Sequence, residues 1–298
     1  MRFCIQCLQQ TSLPFRCTTI KIIITSEKDK AGQLLKIYIS ADIEGITDVT
    51  HWDETNLEKP DSRAACEQMT AEVAAACEGA MKAGAGDILV KDAHWLARNI
   101  DHHKLPHEAR LIRGWGQHPL SMLQGLDNTF AGVAMIGFHS RGGGAGSPIE
   151  HSMDPDFVHV RINERFASEF LIFAYTAAWL KVPVAFVSGD QALMDEVKLV
   201  NPAITTVAVK QGVGNSTVNL HPAVARERIR AGAEKAFKGD LKQCLVVLPE
   251  NFRVEIRFKE HHKARHASFY PGAFAVDPFT IGFETDDYFE VLRFFMFL

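Results

Sequence analysis

From residue 36 to residue 210 the chain alternates short β-rich runs with helical patterns, and this alternation constrains the fold more than any other feature. The first run, KIYISADIEGITDV (36–49), passes from Ile37, Tyr38 and Ile39 through small residues to Asp42, Glu44 and Gly45. DILVKDAH (87–94), ARLIRG (109–114), GVAMIGFH (132–139), FVHVRIN (157–163), VPVAFVSGD (182–190) and ITTVAVK (204–210) follow, most of them ending in a polar residue. Ser62 to Ala83 carries apolar or small residues at three- and four-residue spacing and stops at Gly84, the pattern of a long helix with a glycine end. Arg165 to Leu180 and Pro222 to Phe237 read as further helices. Strands alternating with helices predict an α/β fold, a mainly parallel sheet with helices on both faces, followed by a smaller C-terminal α+β region. The expected organisation is an extra leader over 1–34, a catalytic α/β portion over 35–215 and a smaller region over 216–298.

The ends of the β-rich runs carry the chemistry. Ligands of open α/β sheets collect outside the carboxyl ends of the strands. Asp42 and Glu44 end the first run, His94 and His139 end two others, and His151 closes the glycine-rich stretch RGGGAGSPIE. Singly, each has an ordinary reading as a hydrogen-bonded or solvent-facing polar residue. Together they form the ligand set of a hydrolytic zinc site, in which a shared carboxylate bridges two ions about 3.5–4 Å apart. His102, His103, His107, His118 and the group His261, His262 and His266 follow no such pattern and are expected to face solvent.

Several classes fall away. There is no H-E-x-x-H and no G-x-S-x-G, and the glycines at 142–146 lack the Lys-Ser or Lys-Thr of a phosphate-binding loop. That stretch is expected to form a loop at the site mouth. A formal net charge of -4 offers nothing to hold a nucleic acid, and no apolar run approaches the roughly 18 residues that span a bilayer. A soluble, cytoplasmic protein with reduced thiols is expected; Cys4 and Cys7 make a C-x-x-C with no second pair at zinc-ribbon spacing.

Several motifs also resemble one family, the D-aminopeptidases of the dipeptide-transport operon type, which are zinc metallopeptidases. They are SADIEG (40–45), VKDAHWLARN (90–99), LIRG with SMLQGLD (121–127), GFHS (137–140), EHSM (150–153) and INERFASE (162–169), with VSGD (187–190) and AVKQ (208–211) further on. The resemblance implies two zinc ions per subunit, with Asp42 bridging, Glu44 and His94 completing one site, and His139 and Glu169 the other. It implies that His151 is the catalytic residue, described in the family as a nucleophile; a proton-transfer or transition-state-stabilising role fits its chemistry better. It further implies aminopeptidase action on short peptides with a preference for D-alanine, in a ring-like homo-oligomer. Two other classes use the same ligand types: a binuclear metal phosphoesterase, which Arg98, Arg113 and Arg141 would serve, and a non-catalytic metal-dependent assembly protein.

Overall fold

The computed structural model describes residues 35–298. The expected leader, with Cys4, Cys7 and Cys17, lies outside the described residues.

Strand β1 (Leu35–Ala41) pairs in parallel with the next strand in the chain, β2 (Ala85–Asp92), with Ala41 opposite Asp92. Its run of β-branched and aromatic residues is buried on both sides, as a central parallel strand must be. β3 (Ala109–Ile112) adds outside β2, and β4 (Gly132–Phe138) pairs with the opposite edge of β1. β5 (Phe157–Ile162) and β6 (Arg165–Phe166) leave this sheet altogether. β7 (Val184–Asp190) and β8 (Thr205–Val213) rejoin it in parallel, and β9 (Ser216–Asn219) folds back on β8 as an antiparallel edge. The order is β3-β2-β1-β4-β7-β8-β9.

Helices cover both faces. After the short α1 (Trp52–Thr55), the long α2 (Ser62–Lys82) ends beside Gly84, whose φ of +96° suits glycine. α3 (Glu169–Trp179) and α4 (Gln191–Val200) follow, then α5 (Pro222–Lys238). α2 and α5 pack together over Ile37, Ile39, Ala134, Ile136 and Phe186. Tyr38, Val133, Met135 and Val187, which alternate with these along the strands, face α3, α4 and the second sheet.

The second sheet contains β10 (Phe252–Phe258) paired with β5, and β11 (Ala273–Asp277) and β12 (Thr280–Thr285), in the order β11-β12-β10-β5-β6. α6 (His261–Ala267) and α7 (Tyr288–Met296) complete it. The sheets therefore interleave along the sequence. β9 and α5, beyond residue 215, belong with the parallel sheet, whereas β5 and β6, before it, belong with the antiparallel one. FVHVRIN thus pairs antiparallel with β10. The helix expected from Arg165 begins at Glu169, because Asn163 turns the chain at a φ of +53° and sends Arg165–Phe166 back along β5. Ser168 then caps the helix by accepting from the Leu171 N–H.

Candidate metal centre

Three adjacent strands deliver their carboxyl ends to one place. β1 lies between β2 and β4, so Asp42 and Glu44 leave the middle strand flanked by His94 from one neighbour and His139 from the other. The close approach rests on two glycines. A Cβ on Gly45 would lie 1.8 Å from the Phe138 carbonyl oxygen, and Gly137 holds a φ of +71° while accepting from the Gly45 N–H at 2.8 Å. Glu169, the first residue of α3, enters from behind the loop that carries His151 and accepts from the Met153 N–H at 2.8 Å.

The donor atoms converge. His94 Nδ1 lies 3.0 Å from Glu44 Oε2 and 3.4 Å from Asp42 Oδ1, and His139 Nε2 lies 3.6 Å from Asp42 Oδ2 and 3.7 Å from Glu169 Oε2. His151 Nε2 is 3.6 Å from Glu169 Oε1. Ligand atoms held about 2.1 Å from a tetrahedral ion stand roughly 3.4 Å from one another, so these spacings match a coordination shell. The other nitrogen of each imidazole faces a carbonyl: His94 Nε2 to Thr55 O at 2.9 Å, and His139 Nδ1 to Ser140 O at 2.8 Å. Those bonds take the ring N–H and leave a lone pair aimed at the carboxylates. Among the described residues, buried Asp42 Oδ2, Glu44 Oε2 and His139 Nε2 have no hydrogen-bond partner. Lone pairs of three acids and two imidazoles facing one another out of water repel unless a cation lies between them. The residues fit a metal.

Protons register the same crowding. Burial, then the Glu44 charge, pushes the Asp42 carboxyl up to about 8. Burial opposes charge on His94 and His139, but the facing carboxylates outweigh it; His94 is held well above the usual range and His139 rises to about 10. His151 differs: burial and the neighbouring His139 hold it below the ordinary imidazole value. Its ring stacks on His139 at 4.4 Å and leans on Trp52 of α1 at 5.4 Å, so its orientation is set by packing.

Buried charged side chains brace the ligand-bearing turns. Lys210 of β8 is 3% exposed and donates to the carbonyls of Glu44 and Val49, closing the loop after β1. The Thr47 N–H in that loop donates to buried Glu72 of α2 at 3.2 Å, whose carboxyl burial pushes up to about 7. Asp92 accepts from the N–H groups of Asn99 and Ile100, fixing the turn after His94, and Asp190 accepts from the Ser140 N–H beside His139.

The set opens into a cavity of about 570 Å³. Trp52, Trp95, Trp115, Met122 and Met153 make its apolar wall, and Asp154 is its one acid outside the ligand set. Among the described residues, no Lys or Arg lines it. The glycine loop departs from the expected position: tied by the Gly146 N–H to Glu150 and the Gly142 N–H to Ser152, it lines a separate cavity with Arg141 and Phe166. The histidines that follow no strand-end pattern, His102, His103, His107, His118, His261, His262 and His266, are exposed.

A family profile described as D-aminopeptidase matches residues 35–297. The chain belongs to the D-aminopeptidase family. A curated D-aminopeptidase of Bacillus subtilis (strain 168) is 31% identical over 261 residues, covering 87% of this chain and 94% of the relative. Among solved structures, the fold superposes with a TM-score of 0.83 on the zinc-dependent D-aminopeptidase DppA of Bacillus subtilis, a self-compartmentalizing protease. That match is 29% identical and covers 88% of this chain and 96% of the other. A member of the D-aminopeptidase family is a peptide-bond hydrolase, and no described helix is long and apolar enough to cross a membrane. Glu169 is the ligand candidate that residue spacing alone misses. It sits on no strand end, and only the INERFASE resemblance pointed to it.

Proposed function

We propose that the chain is a two-zinc aminopeptidase that removes the first residue, preferentially D-alanine, from short peptides. The observation that carries this is the split orientation of Asp42, with Oδ1 towards His94 and Oδ2 towards His139. A carboxylate with one oxygen facing each imidazole is placed to bridge two ions. Glu44 and His94 then complete one site, His139 and Glu169 the other, and the zinc dependence of the Bacillus subtilis neighbour supports that metal. Zinc held by these residues would supply Lewis-acid polarisation of the scissile carbonyl and of the attacking water.

The chain's own groups do the rest. His151, neutral near pH 7 because burial holds its pKa low, presents Nε2 beside Glu169. There it accepts a proton from the nucleophile and passes it to the leaving amine. Asp154 offers a carboxylate for the substrate's free ammonium. The tryptophan wall gives apolar surface, and the cavity has space for a small peptide. Among the described residues Arg98, Arg113 and Arg141 all lie off this wall, which favours a peptide over a phosphate ester. The self-compartmentalizing habit of the neighbour supports a ring-like homo-oligomer here, for which exposed Leu199, Val247 and Phe269 offer apolar contact surface.

Elemental analysis of purified protein, with hydrolysis of D-Ala-D-Ala, L-Ala-L-Ala and a phosphate ester before and after chelation, tests the reading. Near two zinc ions per chain and chelator-sensitive release of D-alanine are expected. Cleavage of the ester alone would transfer the assignment to a phosphoesterase, and a metal-free protein would overturn the metal centre.

A further inference from the structure

The cavity at the candidate metal centre shares part of its wall with a second one. Trp115, Ser121 and Met153 line both, and the second chamber holds about 200 Å³. Pro119, together with Ile172 and Phe173 of α3 and Leu292, Phe295 and Met296 of α7, gives it apolar surface. Gln117 and His118 also line it and are exposed. Pockets for drug-sized ligands begin at roughly 300 Å³, so a chamber of this size suits one side chain.

The wall common to the two cavities is braced by its own contacts. Trp115 donates its indole N–H to the Trp95 carbonyl, and the buried Lys91 ammonium sits 3.9 Å from the centre of its ring while donating to Gly114 O at 2.7 Å. Trp95, Ser121 and Met153 take φ values of 44°, 44° and 71°. Left-handed backbone at residues with side chains persists only where the surroundings over-determine it, and such strain clusters at ligand clamps. Three such residues frame one cavity.

We infer that this second chamber is the subsite for the side chain that follows the scissile bond, and that it accepts a bulky apolar residue such as phenylalanine or leucine. The inference rests on the aminopeptidase reading: with D-alanine as the amino-terminal residue, no second chamber is needed on that side, and the space falls to the next residue. The apolar C-terminal helix then acts in substrate selection as well as in the core.

The test compares kcat/KM for D-Ala-D-Phe, D-Ala-D-Trp, D-Ala-Gly and D-Phe-D-Ala on the zinc-loaded, full-length protein. Met296→Trp, at a position 36% exposed, narrows the chamber without adding volume to the core. It is expected to lower the D-Ala-D-Phe to D-Ala-Gly ratio roughly tenfold, the discrimination that a small change in an apolar pocket gives. Phe295→Ala widens the same chamber from a different residue and is expected to raise the D-Ala-D-Trp to D-Ala-D-Phe ratio. Ratios unmoved in both variants overturn the inference. So does selective loss of D-Phe-D-Ala, which would give the chamber to the amino-terminal residue. A change of oligomer size on light scattering with ratios unmoved would make the chamber a subunit contact. Failure of the parent protein to cleave any of the four peptides would overturn the aminopeptidase reading itself, and this subsite with it.

Discussion

Replacing Lys210 by methionine keeps the aliphatic stem and removes the ammonium that ties the carbonyls of Glu44 and Val49. Each buried carbonyl left without a donor costs about 1–3 kcal/mol, so two set a range of roughly 2–6 kcal/mol. The ammonium's own desolvation, which already pulls its pKa down to about 8, disappears in the variant and brings the expected loss to the lower half, roughly 2–4 kcal/mol. Urea unfolding of the metal-free protein measures this directly. A second effect follows from geometry: Glu44 loses its backbone anchor, and groups that orient a metal ligand are worth ~10–100-fold in metal affinity. Zinc titration against a competing chelator should show that weakening for one ion and not for the other, because His139 and Glu169 are anchored elsewhere. Lys210→Arg should not rescue, since a planar guanidinium does not fit a position that converges on two carbonyls. Equal stability loss with both zinc affinities intact would refute the reasoning and reduce Lys210 to a structural residue.

His151→Ala should lower kcat by ~10²–10⁴ while zinc content holds at its parent value; loss of an ion together with activity would make His151 a ligand instead. Asp154→Asn should raise KM for dipeptides with a free amino group and leave N-acetylated peptides as poor as before, read from steady-state kinetics. Burial lifts the Glu72 carboxyl from its ordinary 4.5 to about 7, so the folded state binds the extra proton between those values. The stability this contributes is complete below about pH 4.5 and is lost as pH rises through about 7, a difference of roughly 3 kcal/mol. Glu72→Gln should therefore gain on the parent protein between pH 5 and pH 8 in denaturant unfolding, and parallel pH curves would contradict the assignment.

The parallel sheet was readable because its strands are short apolar runs that stop at polar residues, and burial on both faces leaves such runs no alternation. Asp42, Glu44, His94 and His139 were readable as a group for the same reason: they end runs that sit side by side. Local pattern does not say which sheet a strand joins. FVHVRIN mixes buried and half-buried positions, as a strand with one open face does, yet its partner β10 lies about a hundred residues further on. The start of α3 was displaced because Arg165 and Phe166 continue an apolar rhythm that the turn at Asn163 interrupts. Ser168 was the available signal, a side chain suited to cap a helix immediately before Glu169. Lys210 offered none, since one lysine in AVKQ looks like the polar end of a strand until the loop after β1 is seen closing over it.

The candidate ligand atoms come from the middle strand, from both of its neighbours and from a helix more than a hundred residues away, so an ion held among them would act as a cross-link through the fold. Occupancy and folding are then one equilibrium: whatever binds the native chain and not the unfolded one stabilises it by mass action. The lifetime of this protein against unfolding and proteolysis would accordingly rise and fall with the free metal around it, making its abundance a readout of metal supply as much as of synthesis.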